Sequence, residues 1–213
     1  PQRRMKRDQL NHIVDEAVTD DVDAIGSEAT CSALQAAVVR GDELVYERAA
    51  GRTRLDTEGA SIGPTTPFDI ASLTKPLVTG TLLMQAVDEG RCGWNAPITE
   101  TYGDWSDAPA SDEVTWRQLA DHTSGLPDWR PLYQNLSLRP SREAVDPNQT
   151  TMLRRLHDTE LEAPPGEREC YSDLGYIVLG CALEEVFDDS LRSLARKRIF
   201  DPLELTDTQF VSA

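Results

Sequence analysis

The first third of the chain changes from a helical to a strand-like spacing of apolar residues. Between residues 8 and 23 the apolar positions recur at helical intervals, which predicts an amphipathic helix. Two apolar runs follow at residues 33–39 and 43–49, and the segment between them, Arg40-Gly41-Asp42, predicts a tight turn. The chain is therefore predicted to open with one helix and an antiparallel hairpin.

The rest of the chain carries helical spacing almost throughout. Residues 72–89 form a predicted helix that is almost apolar enough to be buried, and Gly90 is placed to end it. Residues 115–118 and 146–149 both resemble capping boxes, the second with proline at the first helical position. Two further helices are predicted at residues 172–187 and 190–200. No convincing strand follows residue 70, so the prediction is two strands and then a long helical lobe.

The pattern does not separate the chain into independent domains. Residues 52–67 are rich in Gly, Thr, Pro and charge, which indicates a surface loop. We therefore treat residues 1–213 as a single domain. Residues 1–69 supply a helix and the hairpin, and residues 70–213 supply the mainly helical part that carries the candidate chemistry.

Charge changes the picture of the surface. The chain has 37 acidic and 21 basic residues and a net charge of −16, and only three of the basic residues are lysines. Such a surface repels a phosphate backbone, so a nucleic-acid partner is not expected. Acidic residues spread along the whole chain indicate a halophilic protein, because counterions at high salt screen the self-repulsion. An acidic protein that works at ordinary salt is the alternative.

The sequence shows no membrane or export signal. No run approaches the roughly 20 apolar residues that a membrane helix needs. The basic start at residues 1–7 is followed by polar residues instead of the apolar core of a signal peptide. We expect a soluble, cytoplasmic protein without a membrane partner.

The four cysteines form no recognisable disulfide or metal pattern. Cys170 and Cys181 would lie roughly 16 Å apart along a helix that contains both, which is beyond the reach of a disulfide. The sequence has neither a C-x-x-C motif nor clustered histidines. We expect buried thiols and no bound metal.

One short motif carries candidate nucleophilic chemistry. Ser72 and Lys75 have S-x-x-K spacing where an apolar segment turns into the predicted helix 72–89. A separation of three residues puts the lysine amine on the same helical face as the serine hydroxyl. A serine needs a base before it can attack, and a lysine among apolar residues can serve or assist. The alternative is a helix-capping serine followed by a solvated lysine.

Four segments, in the same order, resemble the beta-lactamase-related serine hydrolases, the family of class C beta-lactamases, D,D-peptidases, D-aminopeptidases and several esterases. Residues 68–77 resemble the segment around that family's active-site serine. Residues 119–127 resemble its L-L-x-H-T-S-G-L-P stretch, and residues 165–176 resemble P-G-x-x-x-x-Y-S-N-x-G-Y. Residues 199–203 resemble I-F-x-P-L-G-M. Four ordered matches across nearly the whole chain make the resemblance specific.

The resemblance implies an α/β fold of the beta-lactamase and D,D-peptidase type, with an antiparallel sheet against helices, a helical lobe, and the active site at their junction. It implies that Ser72 is the acylated nucleophile, with Lys75 and Tyr171 as its proton-handling partners. These two would share a proton, because a tyrosine with a pKa near 10 becomes a usable base only beside a cation. The implied substrate is a small ester, amide or peptide, and no cofactor is implied.

Position 173 departs from the family pattern, because Asp173 stands where asparagine is usual. We expect Asp173 to belong to the substrate-binding site. Its carboxylate is expected to hold Lys75 protonated and thereby to favour a Tyr171 phenolate as the base. The same charge would disfavour an anionic substrate, which favours ester or amide hydrolysis over beta-lactam hydrolysis.

Two further residues are open to more than one interpretation. His122 is a candidate third acid-base group, but its loop setting favours a side chain that supports a turn. Trp129 either lines an acyl pocket or is an exposed aromatic residue at the start of a helix.

The resemblance also predicts that the chain is C-terminally truncated relative to the family. The family's second oxyanion donor comes from a late strand with a K-T-G or H-x-G motif, and neither motif follows Tyr171. We therefore expect the isolated chain to catalyse poorly, and to self-associate or pair with a complementing C-terminal segment. The rival hypothesis is a non-catalytic homologue or split-gene fragment that binds a ligand or partner without turnover.

Overall fold

The computed structural model of the chain divides into two compact units, Pro1–Asp69 and Ile70–Ala213. Each unit is described by itself below. The structure describes residues 8, 9, 12, 32–54, 58–105, 111–136 and 147–211.

The first unit is organised around an antiparallel hairpin of β1, Ala33–Arg40, and β2, Glu43–Gly51. Gly41 occupies the turn with φ +62°, a left-handed conformation that glycine adopts without steric cost. A bulge between Val38 and Val39 interrupts the register. The predicted hairpin is thus confirmed.

The helix predicted at residues 8–23 lies mostly outside the described residues. Asp8, Gln9 and His12, which the structure does describe, are helical.

The second unit opens with a long helical stretch of mixed geometry. A 3₁₀ turn, Ala71–Leu73, leads into a π-helical segment, Lys75–Gly80, and then into α1, Thr81–Asp88. Gly90 follows the end of the helix with φ +68°, and the next N–H, that of Arg91, bonds to the Ala86 carbonyl at 2.9 Å. This is a glycine-terminated helix end of the kind the sequence predicts.

Burial of this stretch differs from the prediction. Val78, Leu82, Leu83 and Ala86 on one face are at most 2% exposed. Leu73, Leu77 and Met84 are each more than half exposed. The expectation of a nearly buried helix is therefore wrong. The number of apolar residues does not decide burial, because burial depends on which helical face meets neighbouring elements.

Two shorter helices follow. In α2, Trp116–Ala120, the Thr115 and Gln118 side chains cap each other's backbone N–H groups, so the predicted capping box is confirmed. The next helix, α3, is Pro147–His157. Its predicted capping residue, Asp146, lies outside the described residues.

The last two helices lie where the sequence predicts them, and each begins at a serine cap. Ser172 Oγ accepts the Gly175 N–H at 3.1 Å and starts α4, Asp173–Phe187. Ser190 caps α5, Leu191–Ala195, which continues as a π-helical turn, Arg196–Phe200.

The core of the second unit is built around α4. This helix packs against α1, α2, α5 and the π-helical segment. Burying each large apolar side chain contributes about 1.5–3 kcal/mol. Packing of α4 against the π-helical segment brings the start of α4 to the serine–lysine turn. The largest fully buried side chains of the second unit are Trp105, Trp116, Leu82, Leu83, Ile98, Leu119, Leu126, Leu156, Leu174, Leu179 and Leu183.

Strand pairing is confined to the start of the chain as far as the structure describes it. Beyond residue 70, the described residues contribute only an isolated bridge between Pro97 and Thr115. None of the helices in the described ranges combines the length and the apolar character needed to cross a bilayer.

Candidate active site

Ser72 lies in the first turn of the helical stretch, directly after a strained residue. Ala71 has φ +44°, which is uncommon for a residue with a Cβ and costs of order 1–3 kcal/mol. The Leu73 N–H bonds to the Ile70 carbonyl at 2.9 Å and closes the turn. Strain of this kind clusters at functional sites, and here it orients an exposed serine hydroxyl.

Lys75 connects Ser72 to the start of α4. Its Nζ donates to Ser72 Oγ at 3.2 Å and to Asp173 Oδ1 at 2.6 Å. The Lys75 side chain is 15% exposed, whereas that of Asp173 is 43% exposed. A short charge-assisted contact of this kind fixes the ammonium group beside the hydroxyl.

Tyr171 presents its ring to the same ammonium group. Lys75 Nζ lies 5.0 Å from the ring centroid, within the range of a cation–π contact. The backbone around Tyr171 is fixed by the cap of α4, because buried Ser172 donates its Oγ–H to the Pro127 carbonyl at 2.6 Å. Ser72, Lys75, Tyr171 and Asp173 therefore converge, and we call these four residues the charged corner.

Contacts within the charged corner shift the pKa values of Lys75 and Tyr171. Burial lowers the pKa of Lys75, but hydrogen bonds with Asp173 and Tyr171 outweigh it and leave that pKa above its ordinary value. Hydrogen bonding with Ser72, and then with Lys75, lowers the pKa of the Tyr171 phenol. The two shifts favour an ammonium on Lys75 and a phenolate on Tyr171.

A cavity of about 590 Å³ adjoins the charged corner in the second unit. Ser72, Lys75 and Asp173 are among its polar lining residues. Its other lining is mainly apolar and comes from the loop after α2, from α3, from α4 and from the start of α5. The side chains that we call the apolar wall are Trp129, Leu132, Tyr133, Met152, Ile177 and Leu191.

Of the residues in the apolar wall, the sequence indicates only Trp129 as a pocket residue. Trp129 lines the cavity, is 47% exposed, and lies outside any helix. Ile177 follows Asp173 by one helical turn, so helical spacing from Asp173 could have indicated it. Leu132, Met152 and Leu191 come from separate segments and carry no motif.

His122 lies against Tyr171 with ring centroids 4.5 Å apart. Its Nδ1 accepts the backbone N–H of Ser172 at 3.0 Å. Burial, and then the nearby Lys75 charge, lower the pKa of the His122 imidazole. A neutral ring that accepts a backbone hydrogen bond fits the supporting role that its loop setting favours.

Two thiols of the second unit, Cys92 and Cys181, are poor competitors for nucleophilic chemistry. Burial raises the pKa of Cys92 and of Cys181 to about 11. Within the described ranges, no three His, Cys, Asp or Glu residues are grouped so that they could hold a metal ion. Ser72, by contrast, has the Lys75 ammonium group within hydrogen-bond distance of its hydroxyl.

A protein-family model described as Beta-lactamase matches residues 14–213 of the chain. A curated relative from Escherichia coli O157:H7, named "Putative D-alanyl-D-alanine carboxypeptidase", is 27% identical over 184 residues. That match covers 81% of this chain and 42% of the relative, so the chain spans less than half of the relative's length.

Two solved structures share the fold. The octameric penicillin-binding protein homologue from Pyrococcus abyssi superposes with a TM-score of 0.71 at 22% identity, over 94% of this chain and 43% of its own. The Yersinia pestis Beta-lactamase/D-alanine carboxypeptidase, complexed with citrate, gives 0.67 at 23% identity, over 95% of this chain and 57% of its own. The predicted fold class is therefore confirmed.

Proposed function

This chain belongs to the beta-lactamase family, and we propose that it is a serine hydrolase that forms an acyl-enzyme on Ser72. The observation that carries the proposal is the position of Lys75 Nζ, which donates both to Ser72 Oγ and to the Asp173 carboxylate. A capping serine followed by a solvated lysine, the alternative that the sequence leaves open, does not account for a lysine side chain only 15% exposed.

The hydrogen-bond donors and acceptors of Lys75 and Tyr171 indicate which of the two accepts the proton of Ser72. A protonated lysine has three donors and no acceptor, so Lys75 cannot take the Ser72 proton while Asp173 holds it charged. Tyr171 is the base in this scheme, because its lowered pKa favours the phenolate. The Ser72 proton passes to the Tyr171 oxygen as the Ser72 Oγ bonds to the substrate carbonyl carbon.

The reaction then completes in two halves. Tyr171 returns the proton to the leaving alkoxide or amine as its bond to the acyl carbon breaks, which leaves the acyl group on Ser72. A water molecule gives its proton to Tyr171 and its hydroxyl to the acyl carbon. Tyr171 then returns that proton to Ser72 Oγ as the bond between Oγ and the acyl carbon breaks, which releases the acid and regenerates both residues. The backbone N–H of Ser72 is one oxyanion donor in this scheme.

The substrate class follows from the lining of the cavity. The negative charge of Asp173 disfavours a substrate with a carboxylate beside the reacting carbonyl. The apolar wall favours an uncharged acyl group. We therefore propose an uncharged ester or amide substrate. This departs from the carboxypeptidase name of the Escherichia coli relative, because a carboxypeptidase cleaves beside a terminal carboxylate.

A second candidate is a protein that binds a ligand in this cavity without turning it over. The sequence has no K-T-G or H-x-G segment after Tyr171. A second oxyanion donor of the family type would thus have to come from residues outside this sequence, and losing one such donor typically costs about 10²- to 10³-fold in turnover.

Hydrolysis of uncharged chromogenic esters and amides by three forms of the chain separates the candidates. The matched pair is Ser72→Ala and Ser190→Ala, since Ser190 also lies at a helix start but caps α5. The proposal predicts turnover by the unmodified chain and by Ser190→Ala, and none above background by Ser72→Ala. Saturable binding of the esters without turnover in all three forms would favour the second candidate.

A further inference from the structure

We propose that His122 is a positioning residue that holds the Tyr171 phenol beside Ser72 and Lys75. This inference rests on the proposed function, because it assigns His122 a role in preparing the base. It differs from direct acid-base catalysis, since His122 would act only through Tyr171.

His122 forms hydrogen bonds with the residues immediately before and after Tyr171. The Cys170 N–H donates to the His122 carbonyl at 2.8 Å, and the Ser172 N–H donates to His122 Nδ1 at 3.0 Å. The two residues that flank Tyr171 are therefore tethered to one residue. The imidazole also packs on the Tyr171 ring, with an angle of 39° between the planes.

His122 is itself held in an unusual conformation. It follows the end of α2 with φ +63°, in the left-handed region that most residues with a Cβ avoid. The Thr123 N–H donates to the Gln118 carbonyl at 2.8 Å, and this hydrogen bond connects the turn to the end of α2. The left-handed turn lets the carbonyl and the ring of one residue reach the same neighbouring segment.

A second contact joins the same elements. The Tyr176 hydroxyl donates to the Ala120 carbonyl at 2.9 Å, and the Tyr176 ring lies 5.1 Å from that of His122. The first turns of α4 are thus fixed to the end of α2 on both sides of Asp173. Asp173 has a backbone contact of its own, because its N–H donates to the Asp128 carbonyl at 2.8 Å.

The protonation state of His122 suits this role. Nδ1 can accept the Ser172 N–H only when that nitrogen carries no proton. Burial and the Lys75 charge lower the pKa of His122 and so keep the acceptor available. Glu169, Asp121 and Asp173 oppose this shift through their charges.

Three substitutions separate the hydrogen bond from the ring contact. His122→Asn keeps an acceptor atom at the Nδ1 position and tolerates the left-handed conformation. His122→Phe keeps an aromatic ring but removes the acceptor, and His122→Ala removes both. All three leave Ser72, Lys75 and Tyr171 in the sequence, and circular dichroism of each variant checks the helices.

The direct readout is the titration of Tyr171 by NMR of the chain labelled with ¹³Cζ-tyrosine, with Tyr171→Phe to assign the signal. The Tyr171 signal should titrate below the ordinary tyrosine pKa in the unmodified chain and in His122→Asn. It should move up toward that value in His122→Phe and His122→Ala, because the phenol is no longer held beside Lys75. An unchanged Tyr171 titration in these two variants would overturn the proposal.

A kinetic readout keeps this proposal apart from the proposed function. The labelling rate of Ser72 by a small fluorophosphonate should fall about 10- to 100-fold in His122→Ala and His122→Phe, and stay within about threefold of the unmodified rate in His122→Asn. Equal labelling rates in all forms would overturn the positioning role. If Ser72 of the unmodified chain is not labelled, the proposed function fails, and the Tyr171 titration still decides the role of His122.

Discussion

The charged corner and the apolar wall border one cavity, and they are built in opposite ways. The corner joins residues through directed contacts, such as Lys75 Nζ to Asp173 Oδ1 at 2.6 Å. The wall gathers uncharged side chains from α3, α4, α5 and the loop after α2. A hydrogen bond or ion pair is lost when one of its atoms is removed, whereas the free energy of apolar burial depends on the area that is buried.

This difference predicts how the two ends respond to substitution. Loss of one polar atom from the corner should slow a chemical step or shift its pH dependence, because proton transfer depends on that atom. Loss of one wall side chain should weaken binding in proportion to the area removed. Substitutions in the corner and in the wall test that contrast.

Replacement of Lys75 by methionine should have the largest effect among the proton-handling residues. Lys75→Met removes the donor to Ser72 and the cation that favours the Tyr171 phenolate, so both Ser72 and its base are affected. The acylation rate should fall about 10³- to 10⁴-fold. Stopped-flow measurement of the acylation burst gives the rate, and circular dichroism checks the fold. A loss below about tenfold would show that the corner does not depend on this charge.

The two tyrosines near Lys75 provide a matched pair. Lys75 Nζ lies 5.0 Å from the Tyr171 ring and 5.8 Å from the Tyr176 ring, but the Tyr176 hydroxyl is committed to the Ala120 carbonyl. Tyr171→Phe should lower kcat/KM about 10²- to 10³-fold, the range of general-base catalysis. Tyr176→Phe should lower it only severalfold. Equal losses in the two variants would contradict the assignment of the base.

Asp173→Asn should shift the pH dependence instead of abolishing the reaction. Hydrogen bonding with Asp173 helps to raise the pKa of Lys75, and the Asp173 charge raises that of Tyr171. Removing the charge lowers both values, so Tyr171 loses its proton, and Lys75 loses its own, at lower pH than before. Both limbs of the kcat/KM profile should move to lower pH. Limbs that stay fixed or move upward would contradict this account of Asp173.

The sequence predicts the parts of the site that are close together along the chain better than the parts that are far apart. Ser72 and Lys75 could be predicted because they are three residues apart on one helix, where spacing fixes geometry. Tyr171 and Asp173 are about a hundred residues further along, and only the family resemblance connected them to Ser72. Their convergence depends on α4 packing against the π-helical segment, which no local pattern encodes.

The fold divides in a similar way. The hairpin and the capped helices were predicted because turns and caps are local signals, as Thr115 and Gln118 illustrate. The exposure of Leu73, Leu77 and Met84 was not predicted, because the sequence does not state which helical face meets a neighbour. The loop setting of His122 indicates a supporting side chain but not which segment it contacts, because that depends on how α2 packs against α4.

A substitution in the apolar wall should have the smallest effect. Trp129→Ala should lower kcat/KM for an ester with a long or aromatic acyl group by up to about tenfold, because a wall side chain contributes binding area. The same variant should leave an acetyl ester nearly unaffected. Leu203→Ala is the control, since Leu203 is exposed and does not line the cavity. Equal losses for both esters would place Trp129 among the residues that act on the chemical step.

The most direct test of the central claim is to locate the acyl group. The chain is incubated with an activated ester or a fluorophosphonate, quenched in acid, digested and mapped by mass spectrometry. The account predicts one adduct per chain, on the peptide that contains Ser72, and no adduct in Ser72→Ala. An adduct on another residue, or labelling that persists in Ser72→Ala, would contradict it.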